Sequence, residues 1–397
     1  MSAVARGVPS TDRPEYPTHR WATLLGIVLI AVNMRAAIAA TGPLVPDIRA
    51  DLGLSRAAVS LLTTLPLLCF GLLATGAAAL GRRIGSERAL LLAMLGVAAG
   101  SLLRVTPATA WLLLGTALIG AAVAVVNVLL PTVVKQHFGR RASAVTGVYT
   151  AALIAGAATA SGLSAPLARL DGLGWRGALL VAGAPALVAA VVWLPRLRGT
   201  HLPPKRVRIS VLRSRVTWAL AVFMGMQSLL FFAMTAWLPS LLRDAGVSAY
   251  RAGVALALFN LLGVVGSLVV PAVAARRASQ LPVAFAVCLA WAVALAGLNF
   301  APGYYLVWSV LSGLAQGAAL SLTLTLIVLR APDADTARGL SGTVQGIGYL
   351  LAATGPLAMG TLRDATPGWG VPLLALGLAT AVMAASSPWS AGRGQVR

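Results

Sequence analysis

Charge and cysteine are both scarce in this chain. Ten Asp and Glu and 31 Lys and Arg are spread over 397 residues, of which 58% are hydrophobic. So little charge in so much apolar sequence excludes a soluble globular protein and implies a chain whose solvent is largely lipid. The two cysteines, Cys69 and Cys288, each fall inside an apolar run, which excludes a disulfide framework and a thiolate metal set. The two lysines, Lys135 and Lys205, do not follow a glycine, so there is no phosphate-cradling loop of the Walker type. Neither G-x-S-x-G nor H-E-x-x-H occurs, and no enzyme activity and no cofactor are expected.

What the chain has instead is a series of apolar runs long enough to cross a bilayer. Breaks at polar, Pro and Gly residues predict helices over about 20–43, 56–80, 88–106, 110–135, 142–167, 176–194, 216–242, 249–274, 281–300, 303–330, 338–362 and 370–388. Helices are required because lipid offers no partner to an open strand, and the alternation of a transmembrane barrel is absent. The fold class is therefore an all-α membrane protein with twelve transmembrane helices. Basic residues fix an orientation. Eight of the 31, Arg49, Arg56, Arg104, Arg169, Arg176, Arg243, Arg251 and Arg363, fall on the side opposite the N-terminus, and 22 fall on its own side. The positive-inside rule then places both termini in the cytoplasm, the chain spanning the cell inner membrane. A net charge of +21 confined to short connections argues against nucleic acid as a partner. The polar, Pro-rich start has no apolar core and reads as a cytoplasmic tail, not a signal peptide. Trp21, Trp111, Trp193 and Trp237 stand near span ends, where indoles favour the lipid–water interface.

The longest polar connection, 195–215, divides the chain into six spans and six. This predicts a tail (1–19), a first bundle (20–194), a basic linker (195–215), a second bundle (216–388) and a second tail (389–397). "PDIRADLGLS" (46–55) and "PSLLRDAGVS" (239–248) share Pro, Asp, Gly and Ser at one spacing, and the same offset carries Arg83 onto Arg276. Gly147 and Gly156 are spaced as Gly346 and Gly355 are, and "RLDGLGW" ending at Trp175 echoes "LRDATPGW" ending at Trp369. In the repeated loop Pro ends or kinks one helix, Gly turns the chain, and Ser55 or Ser248 can cap the next helix. Two six-helix pseudo-repeats fit an axis along the membrane normal, with a solute site between them near the midplane and alternating access by rocking.

Six spans plus six, a basic central loop and Arg-rich loops after the second and eighth spans resemble the major facilitator superfamily over essentially the whole chain. In "ALGRRIGSERA" the basic pair and Gly85 of that superfamily's loop signature are kept, but Arg82 stands where its acidic residue would be, so a gate that depends on the acid does not transfer. "NMRAAIAATGPLVPDIRADLGLS" (33–55) and "LLTTLPLLCFGLLA" (61–74) are similar to the cyanate permease and 2-nitroimidazole transporter branch. The resemblance implies a transporter lined by its first, fourth, seventh and tenth helices.

One cation belongs to neither membrane face. Arg35 lies fourteen residues beyond Trp21, about 21 Å along a helix in an apolar layer about 30 Å thick. An unpaired Arg there costs at least about 2.5–3.5 kcal/mol, so it faces protein or a watery cavity. Two readings stay open: it snorkels outward or binds carbonyls freed near Gly42 and Pro43, or its planar donor fork binds an anionic or strongly polar solute. No Asp or Glu lies deep in any predicted span to neutralise it or to carry a proton. Its candidate companions at similar depth are Asn127, Tyr149, Gln227, Asn260, Gln316 and Gln345, with Asn127, Gln227 and Gln316 favoured by the resemblance; each could equally be interhelical glue. Asn33 is about 200° away from Arg35 around the helix and reads as structural. Phe231, Phe232 and Tyr349 could wall a cavity or simply pack. His137, beside Lys135, reads as an interfacial anchor.

The sequence thus predicts a monomeric secondary active or facilitative transporter in the lipid bilayer. Its solute is expected to be a small anion or anion-like polar compound, cyanate-like, a small carboxylate or a nitro compound, with Arg35 as anchor. The alternative is an exporter of neutral or aromatic drugs such as nitroimidazoles, in which Arg35 is structural. A membrane sensor or scaffold would need an output domain, and none is visible here.

Overall fold

The computed structural model describes residues 17–54, 56–170, 172–198 and 211–392. Most of the expected tails, much of the linker and the Ser55 cap lie outside the described residues. Among the described residues fourteen α-helices follow one another. The first eight are α1 (Pro17–Ala39), α2 (Thr41–Leu52), α3 (Arg56–Ile84), α4 (Ser86–Arg104), α5 (Thr109–Phe138), α6 (Ala142–Ala168), α7 (Gly174–Gly183) and α8 (Pro185–Trp193). The last six are α9 (Arg215–Asp244), α10 (Ala249–Ala275), α11 (Leu281–Phe300), α12 (Tyr305–Arg330), α13 (Ala334–Ala365) and α14 (Gly370–Ser390). No strand occurs among the described residues.

Among the described residues ten stretches are long and apolar enough to cross a membrane, and α3, bent by 58° between Thr64–Ala74 and Gly76–Ile84, makes an eleventh. The twelfth expected span is α13, 32 residues long but less apolar than the others. It can afford polarity because it packs between α9, α3 and α5, where Ser341, Gln345 and Arg338 are buried.

Two expected boundaries move. The first span does not end in a loop at residue 43: the helix breaks at Ala40 and resumes as α2 through Leu52. Pro43 has no N–H to give the Ala39 carbonyl, which loosens that turn, while the polar run "PDIRADL" forms a helical rim with Asp47 and Arg49 exposed. The sixth span is likewise split into α7 and α8, with Pro185 opening the second piece.

The repeat seen in the sequence is physical. After α2 and after α9 the chain turns at Gly53 (φ 61°) and Gly246 (φ 84°), a left-handed backbone that favours glycine. In the first copy Asp51 accepts from Trp175 Nε1 at 3.2 Å and pairs with Arg176 at 2.7 Å. In the second, Asp244 accepts from Trp369 Nε1 at 2.9 Å and pairs with Arg363 at 3.1 Å. Ser248 caps α10 by accepting from the Arg251 amide.

One of the four tryptophans expected at the interface is placed otherwise. Trp21 and Trp111 are exposed, but Trp193 is fully buried and donates to the Glu87 carbonyl at 3.0 Å. Trp237 donates to the Pro356 carbonyl at 2.8 Å and packs on Trp369. A buried indole N–H needs an acceptor, and backbone carbonyls of neighbouring helices supply one.

Candidate functional site

Arg35 sits on α1, five residues before the break at Ala40. Asn33 points elsewhere and donates to Leu29 of its own helix at 2.7 Å, as its angular position requires. The carbonyl-binding role weighed for Arg35 is filled by a residue the sequence placed in an outer loop. Arg104, at the end of α4, is only 2% exposed; it donates to the Ala37 carbonyl at 2.7 Å and to the Thr41 hydroxyl. An arginine at the end of an apolar run can turn either outward or inward, and here the Ala37 carbonyl and the Thr41 hydroxyl beside the α1–α2 break hold it inward.

Arg35 is half-buried and faces the last six helices. Its guanidinium carbon lies 4.8 Å from the centre of the Phe231 ring and 5.8 Å from that of Phe232, both on α9. Tyr349, on α13, lies close enough for its phenol to interact electrostatically with the guanidinium. These contacts hold a cation without neutralising it. The ion pairs found among the described residues, His137–Glu87, Arg176–Asp51, Arg338–Asp335 and Arg363–Asp244, lie near helix ends and leave Arg35 with no carboxylate. Nor is there any group of three or more His, Cys, Asp or Glu that could hold a metal among the described residues.

Aromatic side chains from several helices close around this point. Tyr349 packs on Phe70 of α3 at 5.1 Å, and Phe231 stacks on Phe259 of α10 at 6.1 Å with planes 18° apart. Tyr149 of α6 is 1% exposed, and its hydroxyl has no hydrogen-bond partner among the described residues.

Of the expected companions, Tyr149 is buried on α6, while the amides make bonds within or between helices. Gln345 donates to the Asn127 carbonyl at 2.6 Å, tying α13 to α5, and to Ser341 at 2.8 Å. Gln227 is buried and bonded to Ser228 at 2.5 Å and to Met224 Sδ at 3.3 Å on its own helix. Gln316 reaches the Phe259 carbonyl at 3.5 Å across the α10–α12 contact, where Gly263 leaves room for it. Asn260 donates to Leu256 at 3.0 Å on its own helix. In a low-dielectric interior an amide takes the nearest carbonyl, and here those carbonyls are structural. Phe70 and Arg104 were not among the sequence candidates. Only the position of Phe70 in "LLCFGLL" hinted at it, and nothing there sets it apart from packing.

Three polar ties join the first eight helices to the last six, two at one end and one deeper toward the middle of the helices. Lys135 of α5 donates to the Val328 carbonyl at 2.6 Å and to the Ala331 carbonyl, at the C-terminus of α12. Arg338 of α13 donates to Ser86 at 3.3 Å, and Gln345 meets Asn127 as above. The Asp51 and Asp244 clusters, by contrast, stay within their own groups of helices. His137, expected as an interfacial anchor, is 3.5 Å from Glu87.

Two groups of membrane-length helices with a repeated, exposed turn, meeting around Arg35, have the form of a membrane transporter. Residues 25–353 match the Major Facilitator Superfamily, and the chain belongs to it. It is an integral membrane protein and a transporter of small compounds, not an enzyme. It is 38% identical over 371 residues to the 2-nitroimidazole transporter of Escherichia coli (strain K12), covering 92% of this chain and 94% of that one. It is 30% identical over 346 residues to the cyanate transport protein CynX of the same organism, covering 86% and 90%. Its fold matches the proton:xylose symporter XylE with a TM-score of 0.78 at 13% identity, over 96% of this chain and 98% of that one.

Proposed function

We propose that the protein moves a small anion or anion-like polar compound by alternating access, with Arg35 as the charge anchor. The observation that carries this reading is a half-buried guanidinium at the meeting of the two groups of helices, with aromatic and hydroxyl neighbours but no carboxylate among the described residues. Arg104 supports it, because the helix break that could have occupied Arg35 is already served. The two bundles, 20–194 and 216–388, rock about this point on the basic linker 195–215. Both termini lie in the cytoplasm, so the Lys135 end is the inner one and is the end held shut here. Arriving anion offsets the buried charge and favours closure around the pair; the empty carrier returns more slowly. Tyr149 completes the site, and Asn127, Gln227, Asn260, Gln316 and Gln345 hold the helices that frame it. Relatives named for cyanate and for 2-nitroimidazole fit a donor fork that accepts either a small anion or the paired oxygens of a nitro group.

The aromatic wall formed by Phe70, Phe231, Phe232 and Tyr349 favours a second reading, an exporter of neutral aromatic drugs. Uptake of labelled anions into proteoliposomes separates the two. Arg35→Ala is expected to lower uptake about 10- to 100-fold, the loss of a charged hydrogen-bond anchor, with partial retention in Arg35→Lys. Undiminished anion uptake by the alanine variant would favour the drug exporter.

A further inference from the structure

We infer that Thr132 of α5 and Thr325 of α12 form a second station for the transported anion, a pair of hydroxyls beside the axis that relates the two halves, reached when the inner end opens. The inference rests on the anion reading above and adds where the solute stops between Arg35 and the inner face.

The spacing of 193 residues that relates Pro46 to Pro239 and Asp51 to Asp244 also relates α5 to α12. Gly120 of α5 lies so close to α3 that a Cβ there would be 2.9 Å from Pro66 Cα. Its counterpart Gly313 lies as close to α10, where a Cβ would be 3.0 Å from the Cα of Phe259, the counterpart of Pro66. Lys135 and Val328 are a further pair at this spacing, and here one binds the other: the ammonium donates to the Val328 carbonyl at 2.6 Å. A residue that reaches its own counterpart stands next to the axis relating the halves. Thr132 and Thr325 are counterparts too, each three residues before that tie. They therefore lie about 4.5 Å deeper, turned about 60° from it on the same side of their helices.

Both side chains are fully buried, and neither hydroxyl has a hydrogen-bond partner among the described residues. A threonine in an apolar helix ordinarily takes its own backbone. Thr146, Thr150, Thr323 and Thr380 each donate to the carbonyl four residues back, at distances between 2.7 and 3.0 Å. Leaving a buried hydroxyl unmatched is costly, and here the cost falls at equivalent positions of both halves. When the inner end opens and Lys135 lets go of α12, the pair is uncovered together with a free ammonium. Two hydroxyls and an ammonium offer hydrogen-bond donors, which suits an anion. Asp333, just beyond the carbonyls that Lys135 binds, is committed to capping α13: its carboxylate accepts from the Thr336 amide at 2.7 Å and from the Thr336 hydroxyl at 3.1 Å.

The test is initial uptake of labelled benzoate and labelled cyanate into right-side-out and inside-out vesicles that hold the full-length protein. Thr132→Val and Thr325→Val keep the shape and delete the hydroxyl. Each is expected to raise KM from the inner side about 3- to 10-fold, the loss of one hydrogen bond to a charged ligand in a partly wet vestibule. KM from the outer side should stay unchanged and Tm should not fall, while serine at either position should restore the wild-type KM. An inner-side KM unmoved in both valine variants would overturn the station. A fall in outer-side KM that mirrors the inner-side rise would also overturn it, by showing that the pair only sets the balance between states. Arg35→Gln should abolish uptake from both sides; wild-type uptake by that variant, with the valine effect intact, would overturn the anchor and leave the station standing. Wild type carrying neither probe from either side would overturn the anion reading and this inference together.

Discussion

Lys135 is the residue whose removal should move the whole transporter. Its ammonium group reaches across to α12 and binds the carbonyls of Val328 and Ala331, the negative end of that helix. Hydrogen bonds from a charged donor contribute about 1.5–3 kcal/mol each when sheltered. Lys135 is half-buried and must fix a long flexible side chain, so the net stabilisation of the closed end is about 1–2 kcal/mol. In Lys135→Met the ratio of closed to open inner ends should therefore fall about 5- to 30-fold. Spin labels on Gln136→Cys and Pro332→Cys, both exposed positions, in a Cys69→Ser, Cys288→Ser background would report the gap by double electron–electron resonance. Wild type should show a dominant short distance, and Lys135→Met a grown long-distance population. An identical distance distribution in both proteins would show that this tie does not hold the end closed.

Arg104→Met leaves the Ala37 carbonyl and Thr41 hydroxyl buried and unpaired, and should cost about 2–4 kcal/mol, visible as a lowered Tm in detergent; an unchanged Tm would refute the role given to it. Gly156→Val should abolish a monodisperse elution peak, because a Cβ there would lie 2.4 Å from the Val32 carbonyl oxygen at the α1–α6 contact; a wild-type profile would refute it. Asp51→Asn and Asp244→Asn should each lower Tm by less than Arg104→Met does, and the deficit should shrink in high salt, since both pairs are exposed. A deficit independent of salt would mean the tryptophan bonds, not the ion pairs, dominate.

Much of the architecture was legible because lipid imposes a simple rule on composition. Apolar runs of span length gave the helices, and even the less apolar α13 was marked by its flanking breaks. The repeat was legible at Asp51 and Asp244, and at Trp175 and Trp369. That each aspartate bonds its own tryptophan could not be read, because residues over a hundred positions apart meet only through the fold. The α1–α2 boundary was misplaced because charged residues such as Asp47 and Arg49 look like a loop when averaged, although they sit comfortably on the wet face of a helix. Arg104 and Trp193 were assigned outward for a related reason: position at a span end does not say which way a long side chain turns. Arg35 stood out because its depth assigned it to neither membrane face. Its companions were harder, since Gln and Asn are equally suited to a solute and to a neighbouring carbonyl, and only coordinates show which acceptor is near.

The central claim is that Arg35 is completed by the solute. It is tested most directly by isothermal titration of 4-hydroxybenzoate, benzoate and cyanate into purified wild type, Arg35→Lys and Arg35→Gln, with folding of each variant checked by thermal melting. One anion bound per wild-type chain, weakened in the lysine variant and lost in a folded glutamine variant, is the predicted result. A folded Arg35→Gln that binds anion as tightly as wild type would contradict it.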